Sequence, residues 1–459
     1  MTDPADGRSS ALQTDRYELT MVGAALRDGT ARIPCVFEVF ARRLPGGRRY
    51  GVVAGTGRLL GLLRDFRFGE DELAFLRDER IVDAETLAYL EAYRFRGSIS
   101  GYREGELYFP GSPVLTVEGT FADAVVLETL ALSVLNHDSA IATAAARMAT
   151  AAGTRPLSEM GSRRAGEESA VAAARAAYIA GFAATSNLEA GRRWEVPTMG
   201  TAAHAWTLLH DTEEQAFRAQ IDALGTDTTL LVDTYDIRRG VETAIRVAGT
   251  GLGGVRIDSG DLPIVATAVR AQLDALGATK TRITVTSDLD EYAIAALAAS
   301  PVDAYGVGTS VVTGSGVPTA GMVYKLVARQ DSSGSWIPVA KASASKVSVG
   351  GRKSAYRSIT DGVAVTELVV AEFTRRDATD ASASAPDGAR ALQVPLVIQG
   401  EIDTAAEGPE GTRAARAHHA RVRAEPNPHE RTPQYVPTHL IPPVCLYVVA
   451  PAANRHHEH

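Results

Sequence analysis

The chain has 459 residues, of which 45% are hydrophobic, so it can bury the core of one elaborated α/β enzyme or of about two to three smaller domains. Its 47 Lys and Arg residues against 55 Asp and Glu residues give a net charge of -8, which argues against nucleic acid or an anionic membrane as its main partner. Cys35 and Cys445 lie far apart without metal-ligand spacing, which supports neither a disulfide framework nor a structural zinc site and favours a cytoplasmic protein.

The first predicted element is a helix near the N-terminus. The preceding stretch, MTDPADGRSS, is polar, and no run approaches about 18 apolar residues, so we expect no secretion signal and no membrane span. In TDRYELTMVGAAL, Asp15 is a plausible N-cap with Glu18 in the first turn, and the segment from Leu19 to Leu26 supplies an apolar stripe. Tyr17 falls off that stripe and is predicted to lie at the surface.

Short β-type runs alternate with Ala-rich helical segments between Leu157 and Ser310. Strands about 15 to 30 residues apart with helices between them indicate consecutive βαβ units and therefore a parallel sheet or barrel. The seven runs are PLSEMG, AATSN, VPTMGT, TLLVDTYD, GVRIDSGD, ITVTSD and AYGVGTS. Seven runs favour a barrel, and the carboxyl ends of barrel strands carry the active site.

Both flanks of this region are rich in predicted strands. RIPCVFEVFARRL and GELYFPGSPVLTVEG precede a long Ala/Leu segment, 122–152, which Gly153 stops. The runs that follow the barrel, which suggest antiparallel strands, are MVYKLVARQ, WIPVAKASASK, SAYRSI, AVTELVV and LQVPLVIQG. We therefore predict an α/β protein, in which an irregular (β/α) barrel lies beside an α+β sandwich domain formed from both chain ends.

The predicted boundaries follow from these patterns. The sandwich takes residues 1–125 and 326–424, and the barrel takes 126–325. The Asp/Ala/Ser-rich segment 377–387 is predicted to be a surface loop, and the Pro- and His-bearing stretch 425–459 an irregular tail.

Carboxylates follow three consecutive strands of the predicted barrel. Acids gathered at one rim would suit Mg²⁺ or sugar hydroxyls, because hard cations and vicinal diols both bind carboxylate oxygens. Helix N-capping after each strand is the alternative, and the sequence leaves both open. The acids are Asp236 in DTYD, Asp258 and Asp261 in RIDSGD, and Asp288 in TSD.

A glycine-dense turn and three arginines could bind anions. Gly306, Gly308 and Thr309 in AYGVGTSVVTGSG are predicted to form a turn whose N–H groups could bind phosphate, although it is not a P-loop. Arg163 and Arg164 follow a strand directly.

Arg256 lies two residues before Asp258, so the two side chains should share one face of a strand. An arginine there could bind a carboxylate or a phosphate in a bidentate manner, and an internal ion pair with an aspartate is the alternative.

His204 lies at a predicted helix start in MGTAAHAW. With Thr201 as N-cap, it would be the third helical residue, close to free backbone N–H groups that can bind an anion. A single histidine is usually structural, but this one lies in a predicted active-site turn.

Five motifs in this order resemble those of nicotinate phosphoribosyltransferases, of the type II phosphoribosyltransferase superfamily. They are TDRYELTM, GSRRAGEESAVAAARAAYIAGFAATSNLEAG, MGTAAHAW, RIDSGDL and AYGVGTSVVTGSG, and the resemblance covers roughly residues 11 to 360. It implies formation of nicotinate mononucleotide from nicotinate and phosphoribosyl pyrophosphate with coupled ATP hydrolysis, in NAD salvage. It also implies a Mg²⁺-bound substrate and a homodimer with shared active sites.

The resemblance implies a role for each motif residue. His204, Arg256 and Asp258 would be catalytic, and His204 would be the histidine that ATP phosphorylates. The implied nicotinate contacts are Tyr17, Thr201, Arg256 and Asn187. The implied phosphoribosyl pyrophosphate contacts are Thr309, Gly308, Arg163 and Ser259. Many relatives have phenylalanine where this chain has Met160, and a methionine sulfur can replace a ring against an aromatic substrate.

Alternative functions are discriminated by particular residues. Nicotinamide and quinolinate phosphoribosyltransferases share the architecture, so the substrate base must be argued from residues. Nicotinamide enzymes carry an aspartate where this chain has the neutral Asn187, which favours nicotinate. A phosphosugar aldolase or isomerase would need a strand-end lysine or a Glu/His base pair, and the predicted strand ends carry no lysine. A binding protein without catalysis would leave His204 inert.

Overall fold

The computed structural model describes residues 9–341, 349–372, 388–425 and 445–449. The strands are β1 Pro34–Ala41, β2 Gly51–Val52, β3 Ser98–Tyr102, β4 Leu107–Tyr108, β5 Leu115–Thr120, β6 Leu157–Glu159, β7 Ala184–Thr185, β8 Thr229–Leu231, β9 Gly254–Ile257, β10 Arg282–Val285, β11 Ala304–Val307, β12 Met322–Gln330, β13 Trp336–Pro338, β14 Arg352–Thr360, β15 Val363–Glu372, β16 Ala389–Ala391, β17 Gln393–Ile398, β18 Glu401–Ile402 and β19 Cys445–Val449.

The helices follow the pattern of Ala- and Leu-rich segments. They are α1 Arg16–Asp28, α2 Thr56–Arg64, α3 Glu70–Asp78, α4 Ala84–Glu91, α5 Phe121–Val125, α6 Glu128–Ala152, α7 Glu167–Ile179, α8 Leu188–Trp194, α9 His204–Leu209, α10 Glu213–Leu224, α11 Ile237–Ala248, α12 Leu262–Ala275, α13 Glu291–Ala296, α14 Thr309–Val312 and α15 Gly408–Val422. Three 3₁₀ turns are Ser162–Arg164, Leu297–Ala299 and Thr404–Ala406.

The chain divides into two compact units. The first contains the residues up to Thr143 and nearly all of those from Val317 onward, and the second extends from Ala144 to Gly316. The first unit thus draws on both chain ends, as predicted for the sandwich. The predicted barrel range, 126–325, contains the second unit from Ala144 to Gly316 together with most of α6 and the start of β12.

Two sheets make up most of the strands in the first unit. The seven-stranded sheet has the order β13-β12-β1-β5-β3-β17-β18, so three strands from the N-terminal part lie at its centre and strands from the C-terminal part flank them on both sides. The four-stranded sheet has the order β16-β14-β15-β19. The apolar run CLYVV forms β19, which pairs in parallel with β15, so the prediction of an irregular tail was wrong for Cys445–Val449. The predicted loop 377–387 lies outside the described residues.

Helix α1 differs in one detail from its predicted capping. Asp15 is at the N-cap position, but its side chain accepts no capping hydrogen bond. Glu18 is buried instead and accepts hydrogen bonds from Thr14 and Thr129, so it ties α1 to α6 rather than closing a capping box. Tyr17 lies off the buried face with 46% of its surface exposed, as predicted.

One segment of the described chain is long and apolar enough to cross a membrane by length and composition. It covers Phe121–Ala152, with a mean hydropathy of 1.2, and contains α5 and α6. Because 67% of its apolar window is buried within the fold, its length and composition are weak evidence for a membrane span. Gly153, with φ of 65°, ends it as predicted.

The second unit contains a parallel sheet that curls into a half-barrel. Its six strands have the order β7-β6-β11-β10-β9-β8, with helices in the connections. Six of the seven predicted runs form these strands. The seventh, VPTMGT, contributes only an isolated bridge between Thr198 and Thr185, because Pro197 next to it has no N–H to continue a ladder. The α/β prediction is confirmed.

Candidate active site

Polar residues gather where the six parallel strands end. In a parallel sheet all carboxyl ends lie at the same edge, so the residues that follow different strands become neighbours. Three polar residues follow strand ends within two positions: Asp233 after β8, Asp258 after β9 and Thr286 after β10. Gly308 follows β11 and Met160 follows β6 at the same edge. The catalytic residues were predicted to lie at this edge.

His204 lies between two carboxylates and a hydroxyl. Its Nε2 is 3.9 Å from Oδ1 of Asp233 and 3.8 Å from Oδ2 of Asp258, and its Nδ1 is 3.1 Å from Oγ1 of Thr234. The imidazole side chain is 40% exposed, so it is open to a ligand. His204 is the first residue of α9 and Ala203 is the N-cap, so the prediction of Thr201 as N-cap and His204 as third residue was wrong.

Asp233 is a site residue that the sequence analysis missed. Its side chain is fully buried, and Oδ2 accepts hydrogen bonds from the Asp258 N–H at 2.8 Å and the Ser259 hydroxyl at 2.7 Å. The remaining oxygen, Oδ1, is buried without a hydrogen-bond partner and faces His204. Its position directly after the apolar run TLLV is the signal that could have singled it out. The sequence pattern predicts Asp236 of the same loop instead, and that residue caps α11.

The other predicted acids divide into caps and a surface residue. Asp236 caps α11 by accepting from the Arg239 N–H at 2.9 Å, and Asp261 caps α12 by accepting from the Ile264 N–H at 3.3 Å. Asp288 is exposed. The capping alternative is therefore confirmed for two of the four acids, and only Asp258 of the set lies against His204.

Glu213, the first residue of α10, is predicted to make stability depend on pH. Burial and then Asp236 raise its pKa from 4.5 to about 7, so the folded state binds this proton more tightly than the unfolded state. The free energy of unfolding should therefore fall as the pH rises from about 4.5 to 7. We expect Glu213→Gln to stabilise the protein by about 1 to 2 kcal/mol at pH 8, allowing for partial solvent screening.

Denaturant unfolding at pH 5 and pH 8 measures this effect. The matched control is Glu242→Gln, a half-exposed carboxylate on α11 paired with Arg238, which should change little at either pH. Equal stability of Glu213→Gln and the parent at pH 8 would contradict the prediction.

Arg256 is the principal cation of the site. Its Nη1 donates to Oγ1 of Thr201 at 2.6 Å, so the described bond is to a hydroxyl rather than to an aspartate. Its Nε is buried without an acceptor. Burial lowers the pKa of Arg256, the nearby carboxylates of Asp258 and Asp233 act in the opposite direction, and Arg163 adds to the lowering. The guanidinium therefore has an unused N–H donor, Nε, near the carboxylates of Asp233 and Asp258 that face His204.

The glycine-rich turn packs tightly against the loop that follows β6. Gly306 lies within β11 rather than in the turn, which corrects the prediction, and Gly308 is the N-cap of α14. A Cβ on Gly161 would lie 2.8 Å from the carbonyl oxygen of Gly308. A Cβ on Gly306 would lie 2.7 Å from Sδ of Met160, so the methionine side chain lies across this strand end. Thr309 begins α14 and is exposed.

The remaining predicted contacts lie in three places. Arg163 is exposed in the 3₁₀ turn after β6. Asn187 is the N-cap of α8: its Oδ1 accepts from the Ala190 N–H at 2.9 Å, and its Nδ2 donates to Oγ of Ser162 at 3.0 Å. Tyr17 belongs to the first unit. The roles of these residues in binding stay predictions.

Comparison with known proteins identifies the family. The chain is 61% identical over 376 residues to nicotinate phosphoribosyltransferase pncB1 of Mycobacterium tuberculosis, which covers 80% of this chain and 82% of that protein. It is 39% identical over 362 residues to nicotinate phosphoribosyltransferase of Bacillus subtilis, covering 76% and 74% of the two chains. The chain belongs to the nicotinate phosphoribosyltransferase family. The resemblance inferred from the five motifs is thereby confirmed.

A domain model and solved structures agree with this membership. Residues 12–136 match the nicotinate phosphoribosyltransferase N-terminal domain. The crystal structure of human nicotinic acid phosphoribosyltransferase has a TM-score of 0.77 at 26% identity and covers 95% of this chain and 97% of its own. The nicotinate-nucleotide pyrophosphorylase of Pyrococcus furiosus, at 24% identity and a TM-score of 0.72, shares the fold and covers 92% and 96% of the two chains. The nicotinate phosphoribosyltransferase fold is thus present over nearly the whole length.

Proposed function

We propose that this chain is a nicotinate phosphoribosyltransferase that forms nicotinate mononucleotide and pyrophosphate from nicotinate and phosphoribosyl pyrophosphate. The reaction is coupled to ATP hydrolysis through a phosphohistidine at His204, and it serves NAD salvage. The named activity of the relatives supports this proposal. The observation that carries it is Arg256, a guanidinium with a buried, unused Nε donor at the end of a strand beside His204 and two aspartates.

Arg256 suits the carboxylate of nicotinate. A carboxylate accepts hydrogen bonds in a fork that matches a guanidinium, and the buried Nε–H provides a donor that no protein acceptor uses. Thr201 holds Nη1 and so restricts rotation of the guanidinium. Nicotinamide carries an amide in place of the carboxylate and would leave the guanidinium poorly paired. The neutral Asn187 offers no carboxylate to bind that amide.

The transfer needs positioning and electrostatic stabilisation more than proton transfer. The ring nitrogen of nicotinate forms a bond to the anomeric carbon, and the bond from that carbon to the pyrophosphate oxygen breaks, with its electron pair leaving on pyrophosphate. The ring nitrogen carries no proton in this step, so no general base is required. Asp258 and Asp233 supply negative charge toward the cationic ribosyl centre and the pyridinium that forms.

Thr286 and Asp233 hold Asp258 in place for this task. The Thr286 hydroxyl donates to Oδ1 of Asp258, and the Asp258 N–H donates to Asp233. Gly308 and Thr309 follow β11, the exposed Arg163 follows the neighbouring strand β6, and a phosphate group could bind at these two strand ends. We assign phosphoribosyl pyrophosphate to these residues. Ser259 acts through Asp233, to which its hydroxyl donates.

The surroundings of His204 prepare its ring for phosphorylation. Two carboxylates face Nε2 and favour the tautomer with the proton there, which leaves the lone pair on Nδ1 beside Thr234. A bond forms between that nitrogen and the γ-phosphorus of ATP, and the bond to the bridging oxygen breaks as ADP leaves. Transfer of the phosphoryl group to water restores the imidazole and releases phosphate.

The site residues fit a Mg²⁺ ion that arrives with a substrate. Asp233 has a buried oxygen without a partner, and Asp258 lies close to the same histidine, so both offer the oxygen ligands that Mg²⁺ prefers. Among the described residues, no group of three or more His, Cys, Asp or Glu could hold a metal alone. Substrate phosphate oxygens would complete the coordination, and the bound ion would neutralise the charge of the leaving pyrophosphate.

We also propose a cytoplasmic homodimer with shared active sites. Large apolar side chains are exposed on the loops and helices that follow the strand ends, and contact with a second subunit would remove this apolar surface from water. These are Leu188 at 77%, Leu209 at 75%, Ile264 at 68% and Tyr235 at 61% exposure. Tyr17 would reach the nicotinate ring of a partner's site. The buried free thiol of Cys35 suits a reducing compartment.

Pyrophosphate release with nicotinate, with and without ATP, tests the activity. We expect turnover with nicotinate and much weaker turnover with nicotinamide. Arg256→Gln should lower kcat/KM for nicotinate by a factor of roughly 10² to 10⁴, since breaking a buried charge pair costs about 3 to 5 kcal/mol. The matched control is Arg238→Gln, an arginine on α11 whose side chain is 82% exposed. Equal use of the two bases by the parent enzyme would rule out the assignment of Arg256.

A further inference from the structure

Glu159 is a buried carboxylate for which the proposed reaction has no use. It ends β6, is 0% exposed, and lies beneath the loops that carry Met160, Arg163 and Asn187. Burial raises its pKa, and the described residues bring no cation against it. Burying an ionised group without a charged partner costs free energy, so its hydrogen bonds must stabilise the carboxylate at this place.

Both oxygens of Glu159 serve as hydrogen-bond acceptors. Oε1 accepts from the Gly161 N–H, which lies in the loop after β6. Oε2 accepts from the Thr185 hydroxyl at 2.5 Å, which lies at the end of β7. The backbone oxygen of Glu159 also accepts from the Ser186 N–H at 2.8 Å. One residue therefore binds the starts of two adjacent loops.

The bond to Thr185 extends the connection to Asn187 and to the segment that leads to His204. Oγ1 of Thr185 accepts from the Asn187 N–H at 3.0 Å. The Thr185 backbone pairs with the neighbouring segment, donating to the Pro197 oxygen and accepting from the Met199 N–H, both at 2.9 Å. Thr185 is itself 0% exposed, so its hydroxyl proton has no water to bind.

The two hydrogen bonds require that both side-chain oxygens of Glu159 act as acceptors. The Gly161 N–H can only donate, and the Thr185 hydroxyl donates to Glu159 while its oxygen accepts from Asn187. A glutamine would bring an amide N–H₂ against one of these two donors and would leave it unpaired. The ionised carboxylate is therefore matched to its place despite the raised pKa.

We propose that Glu159 is a positioning residue for the nicotinate contacts Met160 and Asn187. It joins the loop that begins with Met160 to the loop Ser186–Asn187, so that Met160 keeps a fixed place relative to Asn187. It lies with β6 and β7, whereas the contacts of His204 come from the loops after β8 and β9. This inference rests on the proposed function, and it predicts that nicotinate binding and His204 phosphorylation respond differently to changes at Glu159.

The test compares two reactions in the full-length enzyme. We expect Glu159→Gln and Thr185→Val to raise the KM for nicotinate by about 10- to 100-fold, because displaced positioning groups cost about that much. Retention of label from γ-labelled ATP should stay within about twofold of the parent, since His204 keeps its partners. Thr185→Ser retains the hydroxyl and should restore the KM to within about threefold of the parent.

The controls separate positioning from stability. Glu104→Gln alters another buried glutamate, which accepts from the N–H groups of Gly55 and Gly57 in the first unit, and it should leave the nicotinate KM unchanged. A parent-like nicotinate KM in Glu159→Gln, or equal losses of nicotinate binding and phosphorylation, would overturn the inference. If Glu159→Gln does not fold, the pair Thr185→Val and Thr185→Ser decides. A parent enzyme without nicotinate turnover would instead reject the proposed function.

Discussion

His204→Ala is expected to abolish retention of phosphate from γ-labelled ATP and to remove the stimulation of pyrophosphate release by ATP. Alanine has no ring nitrogen, so the variant lacks the Nδ1 nucleophile that lies beside Thr234 and would accept the phosphoryl group. Transfer of the ribosyl group itself needs no proton from the imidazole. A slow ATP-independent reaction should therefore remain in the variant, and this separates the coupling role from a general loss of structure.

His210→Ala is the matched control for this prediction. His210 follows the end of α9, and its Nδ1 lies 2.8 Å from the Trp206 backbone oxygen, so it shares the helix but not the carboxylates. We expect His210→Ala to retain label at the level of the parent. Label that survives in His204→Ala would refute the phosphohistidine, and loss of label in both variants would indicate damage to α9 rather than loss of a phosphate acceptor.

Arg357→Met is expected to produce the largest loss of stability in the first unit. Arg357 is 0% exposed, and it donates to Glu106 at 2.7 Å and to Glu367 at 2.6 Å. The arginine holds together residues from both chain ends. Its removal leaves Glu367 buried with only neutral donors, and breaking a buried pair of this kind costs about 3 to 5 kcal/mol. Denaturant unfolding at pH 7 measures the change in the free energy of unfolding.

The effect should be specific to the buried network. Arg27→Met removes an ion pair with Asp83 in which the arginine side chain is 74% exposed, and exposed pairs contribute about 0 to 1 kcal/mol. Similar losses in the two variants would contradict the prediction.

Glu106 in this network makes stability depend on acid pH. Burial by itself would raise its pKa, but hydrogen bonds from His418 and Arg390 outweigh burial and hold the pKa well below its usual value. The stability that Glu106 contributes is therefore present above pH 4.5 and is lost progressively as the pH falls below that.

Local patterns were sufficient for the fold class and for part of the site. Alternation of apolar runs with Ala-rich segments predicted seven parallel strands, of which six form, because periodicity and strand length reflect local burial. The spacing of Arg256 and Asp258 placed two charges on one face of β9, and both lie at the site. The order of the five motifs predicted the family, which the relatives confirm.

Other features depend on the path of the chain in three dimensions. Asp233 and Asp236 lie in one loop, and although Asp233 directly follows the apolar run TLLV, only the turn of that loop decides which acid faces His204 and which caps α11. The role of Glu159 is equally invisible in sequence, because its partners come from different strands and the demand for two acceptors arises only when they meet. Likewise, the pairing of β19 with β15 joins segments far apart in sequence, and neither strand specifies its partner by itself.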